Sequence, residues 1–104
     1  MQKEIEIDHG LHVEINADDQ TARVVESPEV TGTVIIPRYA IYEGIKYKIK
    51  SIGMHAFSSV KLDSLIFPED SEVELFENNM FSFVSIKKLQ IPPKLKSFKS
   101  NEWC

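Results

Sequence analysis

The sequence predicts a β-rich repeat solenoid, with a short strand and a short helical or irregular turn in each repeat, and a β-hairpin cap at its N-terminal end. Two observations predict it: an apolar pattern that recurs at a fixed interval, and a proline that ends each recurrence. The stretches IGMHAFSSVKLDSLIFP (52–68) and FENNMFSFVSIKKLQIP (76–92) align without a gap. Ile52 and Phe76, Phe57 and Phe81, Leu62 and Ile86, Leu65 and Leu89, Phe67 and Ile91, and Pro68 and Pro92 all lie 24 positions apart. Matches at one fixed offset mark an internal repeat, and a period in the twenties suits a stack of strand-and-turn units.

In chain order, residues 1–31 form the expected cap. LHVEI and TARVVE flank the polar NADDQ, so two strands should meet across a turn. Residues 32–104 form the expected repeat region. Val34-Ile35-Ile36-Pro37 matches Leu65-Ile66-Phe67-Pro68, and an inserted ribbon over 38–50 alternates around Glu43-Gly44 as a hairpin does. Repeats follow at about 51–74 and 75–98, with an incomplete one at 99–104; Leu95, Phe98 and Trp103 resemble Val73, Phe76 and Phe81. Within each unit, Leu62-x-x-Leu65-x-Phe67 and Ile86-x-x-Leu89-x-Ile91 turn apolar residues two apart to one inward face. The proline that follows lacks an N–H and stops the strand. Phe57 and Phe81 read as core anchors beneath the intervening turns.

Length and composition restrict the function. With 104 residues, 42% hydrophobic and 27% charged, the chain reads as one soluble globular unit. A net charge of −4, from 12 basic and 16 acidic residues, argues against nucleic-acid binding, which needs a basic stripe. MQKEIEIDHG has no continuous apolar run and is read as neither a signal peptide nor a membrane-inserting segment. The single cysteine, Cys104, rules out an internal disulfide. Residues 1–29 carry eight acidic side chains against Lys3 and Arg23, whereas the last stretch carries Lys87, Lys88, Lys94, Lys96 and Lys99 against Glu102. Such a gradient is either ordinary solvated surface or a basis for end-to-end attraction between copies.

The pattern resembles the BspA-like leucine-rich repeat proteins. The resemblance rests on Gly32 to Pro37, Tyr42 to Tyr47, Ser51 to Phe57 and Leu62 to Pro68, which match G-x-V-x-I-P, Y-E-G-x-x-Y, S-I-G-x-x-A-F and L-x-x-L-x-(I/F)-P. The second unit departs from it, with Leu75-Phe76-Glu77 in place of Ser51-Ile52-Gly53. The resemblance implies a non-catalytic binding module of the surface-antigen type, located at the cell surface, whose protein partner is a host matrix or cell-surface protein. An intracellular leucine-rich repeat scaffold is the alternative.

No catalytic, cofactor-binding or metal site is expected from the residues. His9 and His12, weighed with Asp8, fall on opposite faces of a strand, and His55 lacks an evident partner. Asn16, Asp18 and Asp19 read as a turn without the spacing of a calcium loop. Glu69, Asp70, Glu72 and Glu74 read as an acidic connector without a catalytic partner set. The expected binding face is the outward side of the strands: Thr33, Ile35, Ser64, Ile66, Lys88 and Gln90. The incomplete last repeat predicts an exposed strand edge that self-associates, with Cys104 as an accessible thiol.

Overall fold

The computed structural model describes residues 2–58, 60–77 and 85–98. Ten strands run through them: β1 (Gln2–Glu6), β2 (His12–Asn16), β3 (Thr21–Val25), β4 (Gly32–Ile35), β5 (Tyr39–Tyr42), β6 (Ile45–Ile52), β7 (Lys61–Ile66), β8 (Leu75–Phe76), β9 (Ser85–Leu89) and β10 (Ser97–Phe98). They form two sheets. The larger has the order β1-β2-β3-β6-β8-β10, with β5 also paired to β6, and the smaller has the order β4-β7-β9.

The 24-residue interval appears directly as strand register for Ile52–Phe76, Leu62–Ile86 and Leu65–Leu89, while Phe76–Phe98 and Val34–Leu65 pair at 22 and 31 residues. Ile52 pairs with Phe76 and Phe76 with Phe98 in the larger sheet. In the smaller sheet Leu62 pairs with Ile86, Leu65 with Leu89, and Val34 with Leu65. All these pairings are parallel, so each repeat contributes one strand to each sheet and the next repeat lays its strands alongside. The Leu62-x-x-Leu65 spacing keeps both leucines inside because the register slips at Asp63, which is passed over between the Gly32–Leu62 and Thr33–Ser64 pairs.

The inserted ribbon is a hairpin of β5 and β6 in which Tyr42 pairs with Ile45. Its two turn residues, Glu43 (φ 50°) and Gly44 (φ 79°), both take the left-handed region, as a tight hairpin loop matching strand twist requires. β6 continues past the ribbon to Ile52, joining ribbon and first repeat in one strand. The cap hairpin pairs β2 with β3 across a turn that Asn16 and Asp19 tie through backbone N–H bonds from Asp18 and Thr21. β3 then pairs in parallel with β6, so the cap continues the larger sheet edge to edge. β1 adds a third antiparallel strand, which the sequence analysis did not assign.

The core is one apolar cluster drawn from both sheets, including Val13, Val24, Val34, Ile36, Ile49, Ile52, Phe57, Leu65, Phe67 and Phe76, all fully buried. Phe67 and Phe76 meet across it at 5.8 Å between ring centroids.

The turn expected to be helical or irregular is irregular: residues 54–58 form successive tight turns, Ala56 N–H donating to Gly53 O and Ser58 N–H to His55 O. His55 at φ 59° interrupts any right-handed helix there, although Phe57 is buried as expected. The one helical piece among the described residues is a 3-10 turn at Asp8–Gly10. One expectation is corrected: Ile91, expected inside by its match to Phe67, is 48% exposed. It follows β9, which among the described residues packs against a neighbouring strand on one side alone. Phe81, Trp103 and Cys104 lie outside the described residues.

Candidate functional site

On the smaller sheet, side chains alternate between the core and solvent. Val34 and Leu65 point in and are fully buried, so their neighbours point out. Register aligns these neighbours in two rows. Thr33, Ser64 and Lys88 form the first. Ile35 and Ile66 are paired in the second, and Gln90 extends it, its N–H donating to Leu65 O at 3.0 Å. The six residues named from sequence are thereby brought onto one face. Ile35 is 44% exposed, Thr33, Lys88 and Gln90 are exposed, and Ser64 and Ile66 are half-buried. Ser64, Leu65, Ile66, Lys88, Leu89 and Gln90 line a depression of about 650 Å³ between β7 and β9. A hydroxyl row beside an apolar row, with a cation and an amide at one end, can meet a protein surface of mixed character.

The remaining polar chemistry consists of ion pairs that join successive repeats, which the sequence analysis missed. Buried Glu72 accepts from Arg38 Nη2 at 2.7 Å and Nε at 3.0 Å, and from Lys94 Nζ at 3.1 Å. The Arg38 guanidinium, then the Lys94 ammonium, hold its carboxyl down to about 2, from an ordinary 4.5. Glu74 accepts from Lys50 at 3.1 Å, with Lys96 at 3.6 Å on its other oxygen, and its carboxyl is also held below the ordinary value, chiefly by Lys50. Backbone bonds run beside these pairs, from Glu74 N–H to Lys50 O and from Lys96 N–H to Glu74 O, both 2.8 Å. Two rungs of alternating charge thus follow the repeat direction. Lys94 and Lys96, seen in sequence as a basic excess, are engaged within the chain by the acidic connector. The available signal was spacing: Lys50 to Glu74 is the 24-residue offset that the apolar positions use.

His55 Nδ1 lies 3.2 Å from Ser58 Oγ in the exposed turn after Gly53. Among the described residues, every buried side-chain nitrogen and oxygen has a hydrogen-bond partner. No helix among the described residues is long and apolar enough to cross a membrane.

No curated protein matches the chain. A solved structure of a leucine rich cell surface protein from Faecalibacterium prausnitzii is similar at 17% identity and a TM-score of 0.46. The match covers 86% of this chain and 32% of that one, so this chain spans about a third of that protein's length. Residues 42–104 match the family model described as BspA type leucine rich repeat region (6 copies). Covering more than half of the chain, and including the strands whose register repeats, that match places this protein in the BspA-type leucine-rich repeat family.

Proposed function

We propose that this chain is a non-catalytic protein-binding module of a surface-exposed adhesion or recognition protein, in which the repeats coil as an open solenoid. Its contact face is the outward side of β4, β7 and β9. The supporting observation is the register that aligns Thr33, Ser64 and Lys88 in one row and Ile35, Ile66 and Gln90 in a second, on the solvent side of a sheet whose other side is core. A parallel stack fixes the lateral spacing of such rows at about 4.8 Å per strand, so a partner meets a rigid ruler of side chains. Membership in the BspA-type family supports the surface role and a host matrix or cell-surface protein as the partner class.

The test is antibody labelling of intact, unpermeabilised source cells. Surface signal removed by brief external protease treatment is the expected result. Signal that appears after permeabilisation alone would overturn the surface reading in favour of an intracellular scaffold.

A further inference from the structure

Away from the repeat face, three segments of the cap converge on His12. Glu6 and His12 are directly paired across β1 and β2, the last pair before the chain turns through Asp8–Gly10. That turn packs against the segment after β3: a Cβ at Gly10, which sits at φ +79°, would stand 3.6 Å from the Glu29 backbone. The same segment is pinned to His12 itself. The His12 N–H donates to the buried Ser27 Oγ at 2.9 Å, and Ser27 Oγ donates to Val25 O at 2.8 Å. The outcome is that a ring nitrogen of His12 and one carboxylate oxygen each from Glu6 and Glu29 all lie within 4.8 Å of one another.

The surroundings favour a cation. Glu4 Oε2 lies 3.3 Å from His12 Nδ1, and Glu4, Glu26, Glu29 and His12 share a depression of about 700 Å³, while Glu6 lines a second one beside Asp8. Arg23 also lines it, but its guanidinium is engaged by Glu77 and Glu14. One imidazole with two carboxylates is a donor set for a first-row divalent ion such as zinc, whereas calcium and magnesium take oxygen alone. Ligands about 2.1 Å from zinc in tetrahedral array stand about 3.4 Å apart, so closing the site needs small rotations of the exposed glutamates.

We infer that Glu6, His12 and Glu29 form a zinc-class divalent metal site that ties the edge strand β1 to β2 and to the segment after β3, with a coordination position open to solvent. Three protein ligands with a vacant fourth position can accept a carboxylate or imidazole from another molecule. Along the sequence His12 stands near His9 and Asp8, which make no metal set with it; the fold brings it Glu6 and Glu29 instead.

The test is calorimetric titration of the untagged 104-residue chain with zinc chloride alone, with cobalt(II) absorbance as a second readout. Binding of one ion per chain and a rise in the thermal midpoint are expected. His12→Ala and Glu29→Gln should each weaken binding about tenfold or more, with circular dichroism unchanged. A His9→Ala/His55→Ala double variant should bind as the parent does. Absence of saturable binding, binding that survives both ligand substitutions, or binding lost in the double variant would overturn the site.

Discussion

Arg23 of the cap holds Glu77 of the second repeat through two hydrogen bonds, Nε to Oε2 at 2.9 Å and Nη2 to Oε1 at 3.1 Å, and to do so it crosses directly over Gly53 of the first repeat. Glu77 stands 24 positions after Gly53, so one repeat position serves two purposes. In the first repeat it is empty, and in the second it carries a carboxylate. The departure of Leu75-Phe76-Glu77 from Ser51-Ile52-Gly53 is thereby explained: the Glu77 carboxylate fastens the cap to a repeat that the cap strands do not pair with.

Gly53→Ala should therefore be costly. An added Cβ would stand 2.6 Å from Val24 O and 2.9 Å from Arg23 Nε. Relief would disturb the 2.7 Å bond from Gly53 N–H to Val24 O, or displace the arginine. Overpacking of this kind costs about 1–3 kcal/mol. In a chain of this size each kcal/mol lowers the melting midpoint by about 4–8 °C. Glu77→Gln, which leaves the space unchanged, should cost under about 1 kcal/mol. A thermal melt of Gly53→Ala that overlays the parent would refute the close approach.

Acid should weaken the fold through Glu72. Its carboxyl titrates at about 2 when folded against 4.5 ordinarily, so the folded state holds fewer protons and is favoured above 4.5. That contribution declines as pH falls from 4.5 toward 2 and is gone below both values. Glu72→Gln has no such group and should show a flatter stability profile over this window. Urea denaturation of both forms checks it, the gap between them narrowing as pH falls toward 2. Parallel profiles would mean that Arg38 and Lys94 do not hold the carboxylate.

Much of this architecture was legible because the signal lay in apolar spacing, which reports directly on burial. The offset that joins Leu65 to Leu89 in sequence is the one that pairs them in the sheet, and Glu43-Gly44 is the turn of the ribbon. β1 was not legible: QKEIE offers one half-buried residue, Ile5, and otherwise resembles a solvated leader. Ile91 was misplaced because the repeat pattern specifies which way a residue would point, while its burial depends on a neighbouring strand to cover it. The outward rows were legible, since alternation alone fixes them. The paired charges of Lys50, Glu74 and Lys96 were not, because the offset was applied to apolar positions only. The convergence of Glu6, His12 and Glu29 depends on how two turns pack, which no local spacing encodes.

The join between the two sheets should depend on Phe76. Its ring is fully buried, its strand lies between β6 and β10, and it meets Phe67, which directly follows β7 of the other sheet. Phe76→Ala removes both the apolar burial and the contact, at about 3–5 kcal/mol. Ile91→Ala, at a position with the same apolar character but 48% exposed, should cost about 0.5 kcal/mol or less. Chemical denaturation of the two variants side by side checks the ranking, and equal costs would contradict the observed difference in burial.

The two rows on the outward face should fail differently when altered. Ile35→Glu places a charge where an apolar side chain is 44% exposed, so the fold should survive while an apolar contact is lost. The proposed binding to immobilised host matrix proteins should fall about tenfold or more, the scale of a well-buried contact residue, and the loss should persist at any ionic strength. Lys88→Glu reverses an exposed charge in the neighbouring row. Its effect should be largest in dilute buffer and fade as salt shortens the range of the interaction to about 8 Å at physiological ionic strength and less above it. Melting midpoints of both variants should match the parent. Surface plasmon resonance over a salt series separates the outcomes: if both variants bind as the parent does, the contact face lies elsewhere on the molecule.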